Sequence, residues 1–113
     1  MHDQGSAEDI NDKKKDEIIV SVDANIADLI PAFLERQRRV VPHWHDLIAR
    51  EDYDALGNLG HDLAGTGGAF GFSRLSEIGD SLQLAAEKMN HKEVRTLVEE
   101  YSSYLGRVKV VYR

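Results

Sequence analysis

Between Ile26 and Ile48 the apolar residues fall at Ile26, Leu29, Ile30, Phe33, Leu34, Val40, Val41, Trp44, Leu47 and Ile48. Their spacing of three and four is that of one face of a helix. Pro31 suits the first turn of that helix, whereas Pro42 lies inside the pattern and should kink it. Polar residues from Arg50 to Asp54 close the helix, and Asp52 is placed to cap the next one. A second long helix is predicted over about 53–69, burying Tyr53, Leu56, Leu59, Leu63 and Phe70. Gly71, Phe72 and Ser73 read as a stop followed by a cap. A third helix carries Leu75, Ile78, Leu82, Ala85, Ala86 and Met89. Asn90 with Glu93 has the form of a capping box, opening a last helix with Val94, Leu97, Val98, Tyr101, Leu105 and Val108. Four long amphipathic helices with short connections predict an all-α fold, an antiparallel four-helix bundle.

Ahead of the stripe, Asp23 is a plausible N-cap for a short extra N-terminal helix. Residues 17–22 (EIIVSV) read as an extended strap lying on the bundle, and the polar residues 1–16 as a disordered lead-in. The expected division is therefore a flexible tail and strap over 1–22 and a helical bundle over 23–113. With 113 residues, the chain can build one modest core. No apolar run approaches the roughly 18 residues that span a bilayer, and the polar start is not a signal peptide. A cytoplasmic protein with no membrane contact is expected. The absence of cysteine removes disulfides, thiol catalysis and cysteine-based zinc sites. Of the net charge of −6, residues 1–23 carry −4, from seven acids and three lysines. The helical part is thus close to neutral, with no basic stripe for nucleic acid. Arg36, Arg38 and Arg39 read as a solvated helix face.

Chemistry enters through glycine. Six of the nine glycines lie between Gly57 and Gly71, inside the second long helix or at its end. A glycine inside a helix costs about 1 kcal/mol against alanine, so repeated use needs a reason. Rotating each residue by 100° puts His61 roughly 150° from the centre of the buried sector. It should face away from the core, among Asp54, Gly57, Asn58, Ala64, Gly65 and Gly68. An imidazole ringed by nearly bare backbone suits a partner that must bring a reactive atom within about 3 Å. Gly60 and Gly67 fall on the buried side and read as packing glycines. Packing explains little about Gly57, Gly65 and Gly68.

The stretch HDLAGTGGAFGFSRL, residues 61–75, resembles the signature of histidine-containing phosphotransfer (HPt) domains. The matching positions are His61, Leu63, Gly65, Gly71 and Leu75, and the likeness in architecture extends over 24–113. Gln83 is a further match, since several family members carry a glutamine 22 positions after the histidine, against the imidazole. The resemblance implies that His61 is a phosphoacceptor and that Gln83 orients its ring. It also implies that Gly57, Asn58, Ala64, Gly65 and Gly68 form the docking surface. The implied partners are receiver domains, with a hybrid histidine kinase as a further candidate, and the chain is expected to be a monomeric phosphocarrier rather than an enzyme. No cofactor or metal is expected on this chain, Mg2+ being the receiver's. Many members have a lysine three residues after the histidine; here Ala64 stands there, as in the HxLAG form of the family.

Other residues offer less. His43 and His45 flank Trp44 about 200° apart on a helix, so they cannot share a metal and read as solvated or partly packed residues; His91, at the start of the last helix, reads as a surface residue. Glu77 and Asp80 have no visible base, and Trp44, Tyr101 and Tyr104 read as packing aromatics. Two rival functions use the same bundle. One is an unphosphorylated adaptor that binds a receiver or kinase through the same face. The other is a dimerisation bundle with the apolar Val108–Tyr112 end as its contact.

Overall fold

The computed structural model describes residues 16–113. Strand β1 (Ile18–Val22) leads into a 3-10 helix (Ala24–Leu29) and then helix α1 (Ile30–Ala49). Helices α2 (Tyr53–Ala69), α3 (Ser73–Glu87) and α4 (His91–Arg107) follow, and the chain closes with strand β2 (Val108–Tyr112). The four long helices form the expected bundle. The expected disordered lead-in falls, except for Asp16, on residues 1–15, outside the described residues.

Local signals set most boundaries. Side chains of Asp23, Asp52 and Asn90 accept from the amides of Asn25, Ala55 and Glu93 at 2.8, 3.1 and 3.1 Å. Each satisfies an amide left unpaired at a helix start. Pro31 lies in the first turn of α1, which runs through Pro42 without interruption. Ser73, expected as a cap, is instead the first residue of α3. The N-cap is Phe72, which offers no side-chain hydrogen bond. Its fully buried ring stacks on Phe33 at 5.5 Å, so core packing decides that corner. Met89, expected in the core, is 63% exposed. It follows the end of α3 with φ of 53°, and that left-handed turn carries its side chain off the buried face.

Phe33, Leu34, Trp44, Leu47 and Ile48 of α1 meet Leu56 and Leu63 of α2, Leu75, Ile78 and Leu82 of α3, and Val94, Val98, Tyr101 and Leu105 of α4. Trp44 stacks on Tyr101 with centroids 4.4 Å apart. The Tyr101 hydroxyl donates to Gln37 Oε1 at 2.6 Å, and burial pushes its pKa far above the ordinary phenol value. A buried hydroxyl with a good acceptor holds α4 to α1 without an unsatisfied group.

The segments flanking the bundle differ from the expectation. Val108 does not extend the last helix; it begins β2, which pairs in parallel with β1 from Ile18↔Val108 to Val22↔Tyr112. The β-branched run VKVVY favours extended backbone once α4 ends. The expected strap is thus one strand of a two-stranded ribbon. Arg113 N donates to Val22 O, and Ala24 N to Arg113 O, both at 3.0 Å, so the ribbon anchors the start of the 3-10 helix.

Gly71 turns the chain between α2 and α3 with φ of 89°, a conformation that costs an L-residue about 1 kcal/mol or more. Replacing Gly71 with Ala is expected to lower unfolding free energy by about that amount, read from the urea midpoint at unchanged slope.

Candidate functional site

Helix α2 carries the site, and the side it presents is settled by how closely α3 crosses it. A Cβ added at Gly79 would lie 2.5 Å from both the Gly60 carbonyl oxygen and the Ala64 amide nitrogen. One added at Gly60 would lie 2.7 Å from the Gly79 oxygen and 2.8 Å from the Gln83 nitrogen. Further along, Gly67 meets Leu75 and Ser76 at 3.0 and 3.1 Å in the same sense. Ser76 Oγ donates to the Ala64 carbonyl at 3.0 Å. Gly60 and Gly67 are therefore packing glycines, as their angular position predicted. Gly79, their counterpart on α3, was not singled out in the sequence. Lying alone in an ordinary helical pattern, it gave no local signal of its role.

With α2 held on that side, His61 is exposed. The residues expected around it do not all share one environment. Asn58 and Gly65 are exposed, and a Cβ on Gly65 would meet nothing within 4 Å. Gly68 is exposed and Gly57 half-buried; added Cβ atoms there would make ordinary contacts, 3.6 Å from Ser76 Oγ and 3.7 Å from Ala86 Cβ. None of the three is kept small by packing among the described residues. Ala64 is a correction to the bare-face expectation. It is half-buried in the crossing, where Gly79 and Ser76 of α3 press against its backbone.

Gln83 is half-buried, and its Nε2 donates to Glu87 Oε2 at 3.5 Å. The expected contact with the imidazole is not made in this structure, because the amide is turned along its own helix. Gln83 lines a hollow of about 580 Å³ with Gly57, Asn58, Asp54 and Glu87. His61 and Gly65 instead line a cleft of about 940 Å³ between α1 and α2. Its apolar lining includes Leu29, Phe33, Val40, Trp44, Leu59 and Phe70, with Arg36 and His43 beside them. Phe33 and Trp44 are buried in the core as their spacing predicted, and Val40, Leu59 and Phe70 pack half-buried against it, whereas Leu29 is 53% exposed. Their helical periodicity was the same whether they faced the core or the cleft.

Of the other histidines among the described residues, His43 lines the cleft with His61, whereas His45 and His91 do not. His43 and His45 are exposed on α1, and His91 is half-buried with Nδ1 3.1 Å from the Tyr53 hydroxyl. Among the described residues, no three histidine, aspartate or glutamate side chains could together hold a metal ion. No helix there is long and apolar enough to cross a membrane.

An exposed histidine on the second long helix of a four-helix bundle agrees with a comparison against protein families, in which residues 28–109 match the Hpt domain. The chain belongs to the Hpt domain family. Neither the curated proteins nor the solved structures compared with it gave a match. Hpt domains are phosphocarrier modules that work by histidine phosphotransfer in two-component phosphorelays. They interact with receiver domains and kinases.

The two classes of glycine in this Hpt domain separate by experiment. Alanine at Gly57, Gly65 or Gly68 is expected to raise stability by up to about 1 kcal/mol through helix propensity. Alanine at Gly60 or Gly67 is expected to lower it, because backbone or a core side chain blocks the added carbon. Chemical denaturation of the five single variants reads the sign directly.

Proposed function

We propose that His61 accepts a phosphoryl group from the phosphoaspartate of one receiver domain and hands it to the aspartate of another. The observation that carries this reading is the exposed imidazole beside Gly65, on a helix clamped by α3 along its Gly60, Ala64 and Gly67 side. The Nε2 lone pair of the neutral ring attacks phosphorus as the bond to the aspartate oxygen breaks. The departing electron pair stays on that carboxylate, the proton on Nδ1 stays on the ring, and the product is a phosphorylated imidazolium. Reversal on a second receiver restores the neutral histidine. Such transfer depends on in-line placement and on stabilising charge over the equatorial oxygens.

This division of labour assigns Mg2+ and the stabilising lysine to the receiver, and to this chain a positioned nucleophile and a docking face. Gly57, Asn58, Gly65 and Gly68 form that face, with Ala64 at its inner edge. The cleft between α1 and α2 adds apolar surface next to His61. Gln83 belongs to the site by its level in the crossing, against Gly60. Its contact with Glu87 is at the long limit for a hydrogen bond. Turning its amide to the second ring nitrogen therefore gives up little and would fix the tautomer.

Phosphoramidate and a set of phosphorylated receivers, applied to the wild-type chain and to His61→Gln, test the reading. Acid-labile, alkali-stable label is expected on wild type, with none on His61→Gln at unchanged helical circular dichroism. Label retained by the variant contradicts the assignment. No label on folded wild type from any donor favours the adaptor, which would use the same face without chemistry. Gly68→Gln is expected to keep phosphoramidate labelling and to lose transfer from receivers by at least about tenfold, since a bulky side chain there holds the partner off.

A further inference from the structure

We infer that Gly79 is a positioning residue for phosphotransfer, setting through backbone contact where His61 stands relative to a docked receiver. The inference rests on the proposed role of His61 and goes beyond it. Gly79 lies on α3 and touches no reacting atom. The two atoms that leave no room for a Cβ on it are the carbonyl oxygen of Gly60 and the amide nitrogen of Ala64, each at 2.5 Å. Those residues belong to the single helical turn that carries His61. An added methyl group would fall about 1 Å short of ordinary contact. What it meets is helix backbone, which cannot rotate aside as a side chain does. The turn itself must move, and His61 moves with it. A misplacement of about 1 Å can lower a transfer rate by roughly a hundredfold when the reacting groups are held by separate surfaces. A small diffusible donor adjusts its own approach and is indifferent to such a shift.

Gly67 gives a graded comparison. It abuts the same neighbouring helix but with closest approaches of 3.0 and 3.1 Å, so alanine there demands a smaller displacement. Gly106, where a Cβ meets nothing within 4 Å, is the neutral control.

The experiment measures two rates on wild type, Gly79→Ala, Gly67→Ala and Gly106→Ala. One is labelling by phosphoramidate; the other is transfer from the phosphorylated receiver that loads wild type fastest, at saturating receiver. For Gly79→Ala, receiver transfer is expected to fall by about 10- to 100-fold, with phosphoramidate labelling within about threefold of wild type. Gly67→Ala should show the same selectivity with a smaller loss, and Gly106→Ala no change. If Gly79→Ala does not fold, the selectivity of Gly67→Ala decides. Unchanged receiver transfer in the folded variants, or both rates falling together, overturns the inference while leaving His61 as the phosphoacceptor. Failure of wild type to take label overturns the underlying function instead.

Discussion

The backbone contact between Gly60 and Gly79 is the constraint on which the rest of this domain turns. Two helices can come this close only where neither side chain intervenes, and the glycines forgo about 1 kcal/mol of helix propensity each to permit it. The contact directs one side of α2 into α3 and leaves His61 exposed on the helix. A buried or half-turned imidazole could not be reached by another protein. The same contact gives His61 a fixed backbone, with no hydrogen bond to its ring among the described residues. That suits the phosphoacceptor role proposed for it.

Elsewhere the structure supports that helix pair by ordinary means. Stacked Trp44 and Tyr101, with the Tyr101 hydroxyl on Gln37, join α1 to α4. Arg38 Nε donates to the Leu105 carbonyl at 3.2 Å, placing a positive charge where the α4 dipole is negative. The parallel ribbon of β1 and β2 ties the segment before the bundle to the segment after it and holds the 3-10 helix. Leu29, the last residue of that helix, forms one wall of the cleft beside His61. Strands distant from the site in sequence thus help to shape its surroundings.

The four helices were legible because their apolar spacing, their prolines and the caps Asp52 and Asn90 all agreed. The outward direction of His61 followed from helical geometry alone, as did the burial of Gly60 and Gly67. What escaped was decided by contacts between distant residues. The extended state of Val108–Tyr112 depends on pairing with β1, ninety residues earlier, and a five-residue run has no periodicity that demands it. Ser73 yielded the cap because the neighbouring Phe72 fills the core. Gly79 looked like a tolerated glycine until its partner across the crossing was known. Gln83 sits in the expected element, yet its amide is turned along α3 toward Glu87, a rotamer choice that spacing does not encode.

The most direct test of the account is to find which nitrogen of which histidine carries phosphate after the wild-type chain meets a phosphorylated receiver. Phosphorus and nitrogen NMR of the intact phosphoprotein gives that answer. The account predicts one phosphohistidine, at Nε2 of His61, formed at the expense of the receiver's phosphoaspartate. Phosphate on His43, His45 or His91, or loss of the receiver's phosphate to water with none on the bundle, would contradict it.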